Sequence, residues 1–141
     1  MSSIDGDYPQ FLYIDKDIKE KYLEPLIKKG SGTCFEDQEM GEIYLLGAVI
    51  GYINKLKSPI KSGNRKEVRT YGKLSDDNKL LIRCIAIESN NYEYPILFEG
   101  TKVLKLLEEY ANAGIKVLSE KIFNNLNLSI EDEIEEFLQK I

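Results

Sequence analysis

The chain has 141 residues, of which 43% are hydrophobic and 30% are charged. These proportions are typical of a globular protein with a single domain and its own core. The formal net charge is −5 and there is no histidine, which excludes Ser/His and Cys/His nucleophile pairs and makes most zinc sites unavailable. Cys34 and Cys84 have no CxxC partner, so we expect two unpaired thiols rather than a disulfide or a metal pair.

The N-terminal region predicts a cytoplasmic protein that makes no membrane contact. Asp5 and Asp7 stand where a signal peptide would carry positive charge. No apolar run approaches the roughly 20 residues that a membrane-spanning helix needs. Residues 1–14 read as an N-terminal arm, in which the apolar run 11–14 docks on the body.

A first helix is predicted from Asp15, its N-cap, to about residue 29. Pro25 interrupts the pattern, and we expect the helix to kink or restart there because proline has no N–H to donate. The side chains expected to face the core are Ile18, Tyr22, Leu23 and Leu26.

The central helix of the prediction begins near Glu36 or Asp37 and ends before Pro59. Its apolar stripe recurs at helical spacing, and small residues at Gly47 and Gly51 allow another backbone to come close. Acidic residues in the first turns suit the positive end of the helix dipole. The apolar stripe is Ile43, Leu46, Ile50 and Ile53, and the acidic residues are Glu36, Asp37, Glu39 and Glu42.

Two further helices are predicted after a short strand or extended arm at 65–74. Ser75 caps a mostly buried helix that ends near Glu88. Residues 92–98 read as an extended connector around Pro95, and the longest helix runs from residue 98 or 99 to about 124. A small hairpin or irregular sheet would pair 65–74 with 92–98. The side chains expected to be buried in the Ser75 helix are Leu80, Leu81, Cys84, Ile85 and Ile87.

A last amphipathic helix is predicted at 129–141, where Ser129 and Asp132 form a capping box. Its apolar stripe would either complete the core or seat on a partner protein. The predicted fold is therefore one mainly α domain over 1–141 with about five helices, comprising the arm 1–14, a core 15–124 and this terminal helix. The stripe is Ile130, Ile134, Phe137, Leu138 and Ile141.

Positive charge is concentrated in residues 55–73, which we call the basic segment. It holds seven basic residues and one acidic residue, Glu67, a net charge of +6, so the rest of the chain carries −11. The segment could neutralise DNA phosphates, with Tyr52 and Tyr71 placed to stack on a base. It could equally contact a protein, or be a solvated loop. The basic residues are Lys55, Lys57, Lys61, Arg65, Lys66, Arg69 and Lys73.

Two acidic groups are further candidates, each with a purely structural alternative. Glu108 and Asn112 lie four apart on one helix face, where they could hold a divalent ion or cap a facing loop. Alternatively, Glu108 and Glu109 are solvated or pair with Arg65 or Arg69, with Tyr110 in the core. The cluster Glu36, Asp37, Glu39 and Glu42 could hold Mg²⁺ for nuclease chemistry, but a charged helix start explains it as well.

Three segments resemble the small proteins called DNA phosphorothioation-associated protein 4. They are EIYLLGAVIGYINKLKSPIKSGNRKEVR (42–69), LLIRCIAIES (80–89) and LLEEYANAGIKVLSE (106–120). The resemblance covers residues 37–120, and its most specific part is the octapeptide EEYANAGI. The turn Ser89-Asn90-Asn91 departs from the family, which more often has a Thr-Gly-Asp-like turn. The resemblance implies a setting in systems that replace a non-bridging phosphate oxygen of DNA by sulfur and that restrict unmarked DNA.

The predicted function is that of a non-catalytic accessory protein in such a modification or restriction system. It would act through protein contacts made by the basic segment and the C-terminal helix, without a cofactor, a metal or catalytic residues. One alternative is a DNA-binding module that uses the basic segment. A second is a small metal-dependent nuclease. The expected partners are proteins of the same system, with DNA and a second copy of the chain as further alternatives.

Overall fold

The small sheet joins the N-terminal arm to the basic segment. The computed structural model describes residues 8–124 together with 135, 138 and 139. Strands β1 (Phe11–Asp15) and β2 (Arg65–Thr70) pair antiparallel, with a bulge between Leu12 and Tyr13. Leu12 and Ile14 are fully buried, so the apolar run 11–14 docks on the body as a strand.

The prediction that 92–98 supplies the second strand was wrong. Asn91 and Tyr92 both have positive φ angles, which turn the chain out of the extended conformation. Tyr94–Phe98 then forms a 3₁₀ turn with Pro95 in its first positions. Proline fits there because the first turn of a helix leaves its N–H groups unpaired.

Helix α1 (residues 16–27) begins where the sequence predicts and contains a widened turn. The Asp15 carboxylate accepts a hydrogen bond from the Asp17 N–H, as an N-cap does. The α-helical Lys16–Ile18 passes into a π turn, Lys19–Leu23, and then into Glu24–Ile27. The Glu24 N–H donates to the Lys19 carbonyl. The π turn lies just before Pro25, so the expected interruption takes the form of a bulge that lets the helix continue.

Helix α2 is Met40–Ile53, so its predicted start at residue 36 or 37 was wrong. Asp37 has φ of 61°, and its N–H donates to the Ile27 carbonyl at 2.9 Å. This bond holds residues 34–37 as a separate turn against the end of α1. Glu42 is therefore the acidic residue that lies in the first turn of α2.

Helix α3 (Asp76–Ser89) is capped by the Ser75 hydroxyl, which accepts from the Asn78 N–H at 3.1 Å. The prediction of which side chains of this helix are buried was partly wrong. The inward face is Ile82, Ile85 and Ala86, whereas Leu80 and Leu81 are 57% and 36% exposed. Cys84 is exposed as well. A run that is apolar on several faces does not reveal which face meets the core.

Helices α2 and α4 (Gly100–Asn124) form the centre of the molecule. Gly47 lies against Ile115, and Gly51 lies against Tyr110, so the two helices run antiparallel. A Cβ atom at Gly114 would collide with the Gly47 carbonyl oxygen. The close approach predicted from the small residues of α2 is therefore confirmed, and Gly114 supplies its other half.

The structure confirms a mainly α single domain with a small two-stranded sheet. Leu138 belongs to a helical stretch and is exposed, while the other four stripe residues of the predicted C-terminal helix, Ile130, Ile134, Phe137 and Ile141, lie outside the described residues. Within the described part, no helix combines the length and apolarity required to cross a bilayer.

Candidate functional site: lysine clefts beside helix α4

The loop 54–64, which carries the first lysines of the basic segment, is held in place by Asp15. One carboxylate oxygen accepts the Lys61 N–H at 2.9 Å, and the other accepts the Asp17 N–H at 2.9 Å and the Asn64 side-chain amide at 3.2 Å. Burial by itself would raise the pKa of Asp15, but these hydrogen bonds outweigh it and lower the pKa. The aspartate is therefore an ionised anchor for the loop.

Asn112 fastens the same loop to α4. Its side chain is completely buried. Its oxygen accepts the Asp15 N–H at 3.1 Å, and its amide donates to the Ser58 carbonyl at 2.9 Å. The Ser58 N–H in turn donates to the Glu109 carbonyl at 2.9 Å. Of the two roles predicted for the pair of Glu108 and Asn112, the structure shows Asn112 capping a facing loop.

Glu108 pairs with Arg65, as one of the sequence alternatives expected. The carboxylate lies 2.8 Å from the guanidinium, and the residue Glu108 is 4% exposed. Burial raises the pKa of Glu108, and the charge of Arg65 offsets part of that increase. Arg65 also lies over the ring of Tyr13 at 4.5 Å. This pair ties β2 to α4, and Tyr110 is in the core as expected.

The basic segment is divided between two environments. Arg65 is bound to Glu108, and Arg69 lies 3.1 Å from Glu39. Tyr71 is 3% exposed and stacks on Tyr8 at 4.8 Å between ring centroids. The ring of Tyr71 is therefore covered, and the two arginines serve the fold. The segment is not one continuous free surface.

The lysines of the loop instead face three neighbouring clefts that share Lys57. Lys55 and Lys57 line a cleft of about 500 Å³ with Tyr110. Lys57 and Lys61 line a second cleft of about 490 Å³. Lys57 also lines a third cleft, of about 310 Å³, beside the 89–90 turn. Lys57 lies over the Tyr110 ring at 5.3 Å.

Three lysines of α4 form the opposite side of these clefts, and sequence reasoning missed them. Lys102 and Lys105 line the third cleft, and Lys116 lines the second. In a helix, positions 105 and 116 lie on nearly the same face because eleven residues make just over three turns. That spacing was the available signal, but the lysines are diluted by Glu109 and Glu120 on the same stripe.

The acidic residues that the sequence offered as a Mg²⁺ cluster have separate partners in the structure. Glu39 pairs with Arg69, Glu42 accepts from the Asn78 amide at 3.4 Å, and Glu36 accepts the Gly30 N–H. Within residues 8–124 and the three described C-terminal positions, no group of three or more metal-ligating side chains comes together.

A second surface that the sequence did not indicate is the outer face of α3. Leu81 and Cys84 form an apolar groove of about 140 Å³ with Val49, Tyr52 and Ile53 of α2. Leu80 stands exposed on the same helix. Beyond the end of α3, three aromatic side chains are also more than half exposed. These are Tyr92, Tyr94 and Phe98.

The model of a family described as DNA sulphur modification system-associated protein 4 matches residues 16–140. That range contains Asn112, the six lysines of the clefts and the outer face of α3, whereas Asp15 lies one residue before it. No curated protein and no solved structure matches the chain.

Proposed function

Because this chain belongs to the family of DNA sulphur modification system-associated protein 4, we propose that it is a non-catalytic accessory protein that acts in the cytoplasm by binding other proteins of that system. The family shows the association with DNA sulphur modification. The mode of action is the proposed part, and it rests on the outer face of α3.

The observation that carries the proposal is the exposure of apolar side chains that a folded chain would ordinarily bury. Leu80, Leu81 and Cys84 point away from the core although Ile82 and Ile85 of the same helix are buried. Exposed apolar area costs about 25 cal/mol per Å² relative to burial, and contiguous apolar patches on a protein surface mark interaction sites. A partner that covers this face would recover that free energy.

The groove defines what the partner presents. It lies between two helices, its lining is mainly apolar, and its volume of about 140 Å³ suits one large side chain. We therefore propose an apolar anchor residue of the partner, entering between Val49 and Leu81. Such anchors supply most of the binding energy in many protein interfaces. The exposed aromatic residues after α3 would extend the contact.

The basic segment and the C-terminal helix remain proposed contact surfaces of the same accessory role. Lys66 and Lys73 are exposed, and within the described residues no carboxylate lies within salt-bridge distance of either. These cations would meet acidic groups of a partner at the edge of an interface, where they affect the association rate and its salt dependence more than the final affinity.

The experiment is a pull-down of the tagged chain from its native host after nuclease treatment. We expect proteins of the sulphur modification system to be retained after the DNA has been destroyed. The variant Leu81→Ser should retain at least tenfold less of these proteins. Phe123→Ser is the matched control, because Phe123 is also exposed but lies in the last turn of α4, outside the groove.

Retention of the partners by Leu81→Ser at the wild-type level would contradict the proposal, provided that both variants unfold cooperatively near the wild-type temperature. Capture of a second copy of the chain alone would identify the covered face as a homodimer interface and would also overturn it.

A second candidate function, a DNA-binding module that uses the basic segment, has one observation in its favour. Lys55, Lys57, Lys66 and Lys73 have no carboxylate within salt-bridge distance in the described part of the chain. Charge reversal at Arg65 or Arg69 would not test it cleanly, since each arginine holds a structural ion pair. The exposed lysines are the informative positions.

A further inference from the structure

The structure brings two rows of lysines together along one side of α4. The loop after α2 contributes Lys55, Lys57 and Lys61, and α4 contributes another three. Each lines at least one of the three clefts that share Lys57. We call these six residues the lysine track. The α4 members are Lys102, Lys105 and Lys116.

We propose that the lysine track binds the phosphate backbone of a DNA strand, through contacts independent of base sequence. This site goes beyond the protein contacts of the proposed function. It differs from the basic segment because it excludes the sheet cations Arg65, Lys66 and Arg69 and takes half of its members from α4.

The length and direction of the track fit a linear polyanion. Lys102 and Lys116 are separated by about 21 Å along the helix, at 1.5 Å per residue. A DNA strand places one phosphate per about 3.4 Å of duplex axis, so a track of this length passes about six phosphates. A compact anion would be contacted at one cleft only, whereas three clefts in succession follow an extended ligand.

Hydrogen bonds to its backbone hold in position the loop that carries Lys55, Lys57 and Lys61. Ser58 is fixed to α4 through Glu109 and Asn112, and Lys61 is fixed to Asp15. The backbone of the loop therefore keeps its distance from α4, while the exposed lysine side chains extend from it. Sequence-independent phosphate binding needs that combination of a fixed backbone and adaptable cations.

The backbone conformation of Lys55 is a second indication that the lysine track is a functional site. Its φ is 56°, and it occupies the left-handed position that closes the C-terminus of α2, with the Leu56 N–H donating to the Gly51 carbonyl at 2.8 Å. Glycine is the usual residue at that position, since it has no Cβ. A lysine held there at a conformational cost and lining a cleft is a candidate for function.

The clefts also carry carboxylates, and these limit how tightly the lysine track is expected to bind DNA. The five carboxylates that line the clefts with the six lysines are Asp15, Asp17, Glu88, Glu109 and Glu120. Lys61 lies 3.8 Å from Asp17, and Lys102 lies 2.9 Å from Glu99. A net excess of one positive charge predicts weak, salt-dependent binding, which suits a subunit that assists a larger assembly on DNA.

The test measures fluorescence anisotropy of short labelled DNA with the full-length chain across a salt series, using single- and double-stranded probes. The track variant combines Lys57→Glu, Lys105→Glu and Lys116→Glu. The control variant makes the same change in net charge at Lys21, Lys28 and Lys29, which are exposed, lie outside the basic segment and line none of the three clefts.

We expect the track variant to bind at least tenfold more weakly while the control stays within about threefold of wild type. The slope of log K against log salt should fall by about 0.9 for each lost phosphate contact on duplex, or about 0.7 on single-stranded DNA. If the track variant does not fold, the triple Lys→Gln variant at the same positions should show the same loss in smaller degree.

Three results would overturn the proposal. The first is a wild-type chain that binds neither probe at low salt. The second is equal loss in the track and control variants, which would assign any binding to overall charge. The third is binding of polyglutamate but not of DNA, which would make an acidic protein segment the ligand. Whichever result is found, the protein contacts of α3 are tested separately by the pull-down.

Discussion

Asp15 and Glu108 are both buried carboxylates, and their surroundings shift their pKa values in opposite directions. Asp15 accepts hydrogen bonds from Lys61, Asp17 and Asn64, which together outweigh burial. Glu108 has one partner, Arg65, and burial dominates. Asp15 therefore favours the folded state as an anion, whereas the ionised form of Glu108 is disfavoured relative to water.

Glu108 should make the folded state less stable as the pH rises. Its folded pKa lies above the ordinary value of 4.5, so the folded chain binds more protons than the unfolded chain between those two values. This contribution to the free energy of unfolding is complete below pH 4.5 and is lost as the pH rises through the folded pKa.

The variant Glu108→Gln removes this dependence. In urea unfolding from mildly acidic to neutral pH, the stability of wild type relative to the variant should decrease as the pH rises. Glu109→Gln controls for removing a charge from the same helix. A wild type that becomes more stable relative to Glu108→Gln as the pH rises would show that the ion pair with Arg65 outweighs burial and would refute the assignment.

Asn112 is the residue on which the position of the loop depends. Replacement by alanine leaves the Asp15 N–H and the Ser58 carbonyl without their partner. Unpaired buried polar groups cost about 1–3 kcal/mol each, so we expect Asn112→Ala to lower the free energy of unfolding by about 2–4 kcal/mol.

Chemical denaturation measures that loss, and Asn78→Ala is the control, because the Asn78 amide makes a single exposed hydrogen bond, to Glu42. If Asn112→Ala were as stable as the control, the loop would be held by other contacts.

At the level of elements, the antiparallel pair of α2 and α4 is set by three glycines. Gly47, Gly51 and Gly114 let the two backbones touch. In water, such an approach gains dispersion contacts but costs each helix about 1 kcal/mol per glycine relative to alanine. Within the motif EEYANAGI, Gly114 lies at this contact, whereas the buried Asn112 bonds the facing loop.

Gly114→Ala should destabilise the fold severely. The added Cβ would collide with the backbone of Gly47, which cannot rotate away as a side chain would. We expect a loss of more than about 3 kcal/mol in the free energy of unfolding. Gly72→Ala is the matched control, because nothing lies within 4 Å of its added Cβ. Equal unfolding midpoints for the two variants would contradict this packing.

Helices and caps follow from local sequence, and this explains which elements could be predicted. Asp15 and Ser75 cap helices as expected, because a cap needs only its own side chain and the next turn. Strand pairing was mispredicted because β1 and β2 are about fifty residues apart and the pairing depends on the whole fold. The start of α2 was misplaced because a hydrogen bond from Asp37 to Ile27 sets it.

The candidate sites also combine features that local sequence predicts with features that depend on the whole fold. The sequence shows the basic segment, but it does not show that the two arginines of the segment form ion pairs. Packing of the folded chain brings Glu108 and Glu39 to them. The lysine track joins two segments that are more than forty residues apart. The exposure of Leu81 depends on how α3 is rotated against its neighbours, and the apolar pattern of that helix permits several rotations.

At the level of the whole molecule, the lysine track and the outer face of α3 are separate surfaces that meet near Tyr52. Tyr52 lines both the cleft of Lys55 and the groove of Leu81. A protein held on α3 would therefore sit beside any DNA strand held along α4. This arrangement fits an accessory role in a DNA sulphur modification system, in which a small subunit brings a partner and its substrate together.

The central claim, that a protein partner covers the outer face of α3, can be measured directly with the two cysteines of the chain. Cys84 lies in the groove, and Cys34 lies in the loop before α2; both thiols are exposed. The measurement is the alkylation rate of each thiol, by mass spectrometry, in the free chain and in the complex recovered by the pull-down. We predict that Cys84 reacts at least tenfold more slowly in the complex while Cys34 is unchanged. Equal rates for Cys84 in the free and bound chain would show that the partner binds elsewhere.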